Sequence, residues 1–407
     1  MAESLEEVQK AGKYLVTWIF LGSLVGVVMG FLSYFFLTSL QFVTQIRSGS
    51  PWLLLGLPVV GFIFSFLYVR FGKNAIGGNN LVIRQANGGN EKIPLRLIPL
   101  TLFGTLATHL FGGSVGREGT AVQMGGSVAD FFSGLFHVTG IKREVLIASG
   151  MAAGFSSVFG TPLAGTIFAL EVLVVGKIRS EALLPALIAS LVANYVTLSL
   201  GANHVHYAMG QAPDFSLLLM GKLFLAALCF GLMARVFAKS IGYLKKFYTK
   251  IWPNPVLRQT LGAVIVVLFF LLLSGQRYEG LSTELLSDAF SGQQHAIDFV
   301  GKLFYTVLSL GAGFQGGEVT PLFEIGATLG ANLAPILAIS VPFLAGLGFI
   351  GVFAGATNAP VACFLMGIEL FGGDYALYFM WVAVIAVFAS GKAGIYSAQI
   401  FPGEESL

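Results

Sequence analysis

The sequence predicts an all-α polytopic membrane protein built from two repeated halves, and three observations carry that prediction. The 407 residues are 56% hydrophobic and only 11% charged, with a mean hydropathy of +0.82; an ordinary soluble chain is roughly 25% charged. Asp, Glu, Lys and Arg are absent from Tyr14 to Ile46, Ser48 to Val69, Ala182 to Pro213, Gln259 to Gln276 and Ile325 to Ile368. A helix needs about 20 mostly apolar residues to cross a bilayer, so the chain holds about ten to a dozen such segments. None shows the short alternating pattern of a membrane β-barrel. The third observation is that the chain resembles itself.

Along the chain, the opening MAESLEEVQKAGKYLVTWIF is acidic and then apolar for too long to be a cleaved leader, so a retained helix is expected there. Gly22, Gly26 and Gly30 form a small-residue ridge that lets helices approach closely in lipid. The stretch GGSVGREGTAVQMGGS opens at Gly112 and AGFQGGEVTPLFEIGA at Ala312. Pairing Gly116 with Gly317 and Gly125 with Gly326 gives a constant offset of 201, which also pairs Ala153-Gly154 with Ala354-Gly355. After a deletion of three residues, Pro162 pairs with Pro360 and Glu171 with Glu369. The divide falls near GANHVHYAMGQAPD, Gly201 to Asp214, giving a first half 14–213 and a second half 214–400 of one transport domain, 1–407. His204 and His206 lie in that loop and are expected to be solvated. Lys239 to Arg258 contains no acid, and the positive-inside tendency assigns that loop to the cytoplasm. Cys229 and Cys363 sit in apolar runs as packing residues, without disulfide or metal spacing. The net charge of +3 is loop asymmetry and not the footprint of a nucleic-acid partner; no cofactor is expected.

Half-chain repeats in a polytopic protein mark secondary transporters, whose halves are often inverted and whose site lies near the midplane where broken helices meet. Here Gly-rich breaks fall at matching places in both halves. Glycines interrupt a membrane helix, and a helix that begins at the break offers unpaired N–H groups and a positive dipole end. Such backbone is tolerated at bilayer depth only when buried in protein or lining a cavity. The expected cargo is a small anion.

Several motifs together resemble the CLC family of anion channels and transporters: GREG (Gly116 to Gly119), GGEVTPLF (Gly316 to Phe323), the AGF…PLAG…FALE block and the terminal GIYSAQ with Tyr396. The match runs over essentially the whole chain in the family's order. The resemblance implies a homodimer with one pathway per subunit, each subunit an inverted repeat of tilted and discontinuous helices. Three departures refine it. The family's G-S-G-I-P reads GNNLV here, with Asn79 at the Ser position; G-R-E-G-P has Thr120 for Pro; G-x-F-x-P reads Gly317-Glu318-Val319-Thr320-Pro321. The chloride/proton antiporters carry a Glu beside the one at Glu171, where this chain has Val172. The combination resembles the bacterial branch that exports fluoride in exchange for protons, in a multi-pass cell membrane protein. A chloride/proton antiporter and a passive anion channel are the alternatives.

Glu118 is the expected gate and proton carrier. A carboxylate at membrane depth is costly and functional by default; ionised it can sit at the helix N-termini in place of the anion, and protonated it must leave. Arg117 is expected as its structural ion-pair partner. Glu318 is a second proton site or polar gate, or else only a cavity-facing acid. The anion-binding set is Asn79, Gly116, Gly317, Val319, Thr320 and Tyr396, through backbone amides, an amide side chain and hydroxyls. Thr120 offers a further hydroxyl. Desolvated fluoride needs several strong donors at once. Some phenylalanine edges could line the path. Glu171 and Glu369 are expected at helix ends in structural roles. The match of Gly112 to Gly116 to G-x-S-x-G, with His109 nearby, has meaning only on a strand–turn–helix elbow, and G-x-G-x-x-G from Gly311 to Gly316 lacks its preceding strand. A membrane hydrolase using Ser114 is therefore set aside, and the chain is not expected to be an enzyme. The chain ends soon after Tyr396, so no cytoplasmic regulatory domain is expected.

Overall fold

The computed structural model describes residues 2–403, with side chains from Gly12 onward. The first half comprises α1 (Ala2–Ser48), α2 (Leu57–Leu67), α3 (Gly78–Ala86), α4 (Leu97–Leu110), α5 (Glu118–Leu135), α6 (Ile141–Phe159), α7 (Pro162–Glu171) and α8 (Leu183–Ser199). After the connection at 200–216 come α9 (Leu217–Ile251), α10 (Pro255–Leu272), α11 (Glu284–Ser291), α12 (Asp298–Ala312), α13 (Val319–Leu337), α14 (Val341–Thr357), α15 (Pro360–Phe371) and α16 (Ala376–Ser390). Among the described residues there is no strand, only isolated bridges. Six helical stretches are long and apolar enough to cross a bilayer, so the protein is an all-α, multi-pass membrane protein. Four more apolar helices, α4, α7, α14 and α15, are too short to qualify. Hydropathy alone counts such partial spans as segments, which is why the sequence estimate exceeds six.

Burial follows the small residues. The Gly22–Gly26–Gly30 ridge of α1 lies against α8: a Cβ on Gly26 would come within 2.7 Å of the Ala189 carbonyl, and one on Gly30 within 2.6 Å of Val196 Cβ. The core pairs α5 with α6 and α13 with α14. At the first crossing Gly125 and Gly150 meet backbone to backbone, and at the second Gly326 and Gly348 do the same. Along α14 and the body of α6 the residues are apolar or small on every face because every face is covered.

The paired crossings revise one part of the repeat register. If Gly125 corresponds to Gly326, then Gly150 corresponds to Gly348, and the helix ends Gly160 and Asn358 match in the same way. The shortening therefore lies in the α13–α14 turn, before the block that pairs Ala153-Gly154 with Ala354-Gly355 at the longer offset. Glu171 and Glu369 occupy reciprocal helix ends. Glu369 accepts from the Leu163 and Ala164 amides at 2.8 Å each, capping α7, and Glu171 accepts from Val361 and Ala362 at 3.1 and 2.8 Å, capping α15. Each half thus caps a helix of the other.

The connection at 200–216 is tied down rather than free. Tyr207 stacks on Phe290 at 4.9 Å, Tyr378 donates to the Pro213 carbonyl at 2.6 Å, and Tyr375 donates to the Gly210 carbonyl. The expected solvation holds for His206, which is exposed, but not for His204. The His204 ring folds onto Gly160 and its Nε2 is buried without a partner. Burial, with the Arg117 charge, pushes the imidazole down to about 4. Of the two cysteines, Cys363 is buried as expected, whereas Cys229 lies exposed on α9.

The basic run expected as a loop, Lys239 to Arg258, lies mostly in the last turns of α9 and the first turn of α10, with only 252–254 between them; the positive-inside tendency assigns this end of both helices to the cytoplasm. The 18 residues of α10 rise about 27 Å, which carries the segment from 273 onward to the opposite, external face. Arg47, at the end of α1, pairs there with Glu279.

Candidate anion site

Two breaks meet at the centre. The chain before α5 and the chain before α13 form a two-residue antiparallel bridge: Gly116 N–H donates to Gly317 O at 2.6 Å and Gly317 N–H to Gly116 O at 2.8 Å. Residues 201 apart in sequence therefore pair across the repeat. Glycine is required here, because Gly316 has φ +151 and a Cβ on it would meet Val115 Cβ at 2.5 Å.

Glu118 begins α5 with its side chain 1% exposed, and its carboxylate lies on the N-terminus of α13. It accepts from the amides of Val319 at 2.5 Å, Thr320 at 3.3 Å and Arg117 at 2.9 Å, and from the Thr320 hydroxyl at 3.2 Å. Pro321, the next residue of α13, has no N–H to leave unpaired. Helix-terminal amides and the dipole favour an anion at this point, and the carboxylate oxygens occupy the place a small anion would take. Val319 contributes its amide and not its side chain.

The other expected residues lie around this point. Asn79 is in the first turn of α3, packed so closely on Gly119 that a Cβ there would lie 2.8 Å from its Nδ2, and its Oδ1 is buried without a partner. Its neighbour Asn80 accepts from the Ala398 amide at 3.0 Å, which fastens the Tyr396 segment to the start of α3. Tyr396 is 7% exposed, its ring edge-on to Phe168 at 6.2 Å. Glu318 precedes α13 at its N-cap position, with Oε2 buried and unpartnered, and its charge is felt with those of Glu118 and Lys245 of the cytoplasmic end of α9.

Arg117 and Thr120 differ from expectation. Arg117 touches Glu118 through its backbone amide alone; its guanidinium lies 6.0 Å over the Phe159 ring with Nε unpartnered. The carboxylate is satisfied by the α13 terminus, so no ion pair forms. The Thr120 hydroxyl is bonded to Thr105 Oγ1 at 2.6 Å and not turned to the anion. Ser114 Oγ pairs with Thr306 at 3.0 Å while His109 Nδ1 faces the Thr105 carbonyl at 2.8 Å, so no Ser–His couple exists.

Five phenylalanines from both halves pack into one ring cluster. Phe155 stacks on Phe168 at 4.4 Å, Phe323 on Phe349 at 3.9 Å, and Phe353 joins the two pairs. This cluster carries rings from both halves up to Tyr396. One feature escaped the sequence reading: Lys302 and Glu324, both fully buried, pair at 3.1 Å beside the site. Neither charge points to the other in the sequence, since Lys302 shares α12 with Asp298 and Glu324 stands alone in α13.

The comparisons agree with this geometry. The family model described as voltage gated chloride channel matches residues 60–391. A chloride/fluoride channel protein of Pseudomonas syringae pv. tomato is 41% identical over 95% of this chain and 87% of its own length. The H(+)/Cl(-) exchange transporter ClcA of Vibrio parahaemolyticus is 27% identical over 93% of this chain and 88% of its own length. The crystal structure of a CLC-type fluoride/proton antiporter superposes with a TM-score of 0.92 at 39% identity, covering 95% of this chain and 98% of that one. A slow cyanobacterial Cl-/H+ antiporter shares the fold, with a TM-score of 0.79 at 20% identity over 93% of this chain and 96% of its own. With that match across both breaks and the helices they position, the chain belongs to the CLC family of voltage gated chloride channels and their transporter relatives.

Proposed function

We propose that the protein is a fluoride/proton antiporter that exports cytoplasmic fluoride from a bacterial cell in exchange for entering protons. The observation that carries this is the Glu118 carboxylate held at the start of α13 by two amides and a hydroxyl of that helix and by the Arg117 amide. Ionised, Glu118 fills the anion place. Fluoride displaces it by competing for the same donors, and the displaced carboxylate takes a proton. Protonated, it has lost the charge that the helix terminus favours, so one group blocks the anion or carries the proton in turn.

In this reading the amides of Val319 and Thr320, the Thr320 hydroxyl and the Gly116–Gly317 bridge define the central place. Asn79 and the Tyr396 phenol lie on its approach as further donors. Glu318, with an unpartnered oxygen and Lys245 toward the cytoplasm, is the inner proton station that Val172 cannot provide. The unit of transport is one domain, 1–407, whose halves 14–213 and 214–400 are inverted. It works as a homodimer in the lipid bilayer, with a pathway in each subunit, and transports without acting as an enzyme.

The names of the 41% identical relative and of the 39% identical structure support fluoride, as do the departures at Asn79, Val319 and Val172. The ClcA relatives, at lower identity, support chloride/proton exchange as the second reading. Efflux from vesicles loaded with fluoride or with chloride separates them. Fast fluoride loss with slow chloride loss is expected; equal or faster chloride movement would overturn the assignment.

A further inference from the structure

Lys302 on α12 and Glu324 on α13 form a buried ion pair that the exchange described above does not use. Nζ lies 3.1 Å from Oε2, and both side chains are completely buried. Lys302 spends its other protons on the Ser282 hydroxyl at 2.6 Å and the Gly280 carbonyl at 3.0 Å. Ser282 Oγ also reaches Glu324 Oε2 at 3.5 Å, whereas Glu324 Oε1 is buried with no partner at all. Burying two charges costs several kcal/mol per ion, on the order of what their attraction returns. Inside a membrane such groups are retained for function.

Glu324 follows Thr320 by four residues, so both lie on one face of α13, a turn apart. Thr320 touches Glu118. At the other end Ser282 is half-buried, next to exposed Thr283, on the external segment that follows α10. Ser282 holds φ +45, an uncommon backbone state for a serine, and its hydroxyl there is bonded inward to Lys302. Polar groups thus run from half-buried Ser282 through Lys302 to Glu324, one helical turn from the Thr320 that touches the buried gate. The titratable groups around Glu324 are Lys302 of α12, Glu118 and Arg117 at the start of α5, and Tyr207 of the connection, with His109 of α4 near Lys302.

We propose that Glu324 is the outer proton station of the exchanger, taking a proton from extracellular water at the Ser282 end and passing it to Glu118 along the face of α13. An O–H bond of external hydronium breaks and one forms on Glu324 Oε1. That bond then breaks as one forms on the Glu118 carboxylate, and Lys302 balances Glu324 whenever it is empty. Only water is needed as co-reactant.

The proposal rests on fluoride/proton exchange, so wild-type protein is measured beside each variant in vesicles, with fluoride and external pH recorded together. Glu324→Gln should slow coupled proton uptake by about tenfold or more, the low end of what a positioned proton-transfer group contributes, while fluoride affinity by calorimetry changes less than about twofold. Glu324→Asp should recover much of the rate. The double variant Lys302→Met, Glu324→Leu leaves no orphaned charge, and such replacements are often neutral for stability; it should remain slow. A double variant at the wild-type rate and stoichiometry would overturn the proposal by making the pair structural, as would loss of fluoride binding together with flux. Wild-type fluoride flux without proton uptake would instead overturn the exchange reading itself.

Discussion

Replacing Glu118 with glutamine keeps the size of the gate and removes its charge. In the structure the carboxylate accepts four hydrogen bonds, three of them from α13. The amide keeps one acceptor oxygen and turns an NH2 toward donors, so at least two charge-assisted bonds are lost. At about 1.5–3 kcal/mol each, the side chain is released from the site by about 3–6 kcal/mol, or about a hundredfold to ten-thousandfold in occupancy. The tethered competitor is gone and nothing carries the proton. In proteoliposomes with a fluoride electrode and external pH recorded together, Glu118→Gln should pass fluoride with no coupled proton uptake. Fluoride-coupled proton uptake at the wild-type ratio in this variant would refute the reasoning.

Thr320→Val removes one hydroxyl donor and leaves the α13 amides, so fluoride affinity should fall about fivefold, for a bond of about 1 kcal/mol, with coupling intact; calorimetry with fluoride checks it. Gly30→Leu crowds the α1–α8 contact at Val196 and should cost about 1–3 kcal/mol of stability, read as a lower unfolding temperature in detergent; Val196→Ala should recover part of it. Glu171→Ala and Glu369→Ala each remove a helix cap and should cost about 0.5–2 kcal/mol. Thermal unfolding should show that loss with the proton-to-fluoride ratio unchanged, and an altered ratio would give these acids a transport role.

The breaks were legible because glycine, isolated acids and apolar runs are local signals. Gly116, Gly317 and Glu118 stand out in sequence, and the structure brings them together. Glu171 and Glu369 were legible for the same reason, since a repeat that carries an acid beside a proline-started helix carries its cap. Arg117 was not, because its partner was chosen by competition: the α13 terminus satisfies Glu118, and the guanidinium settles over Phe159. Thr120 was misread because its partner, Thr105, lies on another helix. His204 looked like loop and proved to be packed, since Gly160 leaves room for its ring. The Lys302–Glu324 pair was invisible because two charges 22 residues apart become partners only when α12 and α13 fold back on each other.

The central claim is that one carboxylate ties fluoride movement to proton movement. The most direct measurement uses vesicles with equal fluoride on both sides and a proton gradient imposed across the membrane. The account predicts that protons flowing out of the acidic compartment drive fluoride the opposite way, so that fluoride accumulates in the more acidic compartment against its own gradient, and that Glu118→Gln abolishes the accumulation. Fluoride that stays at equal concentration under a standing proton gradient, with protein shown to be active in simple efflux, would contradict it.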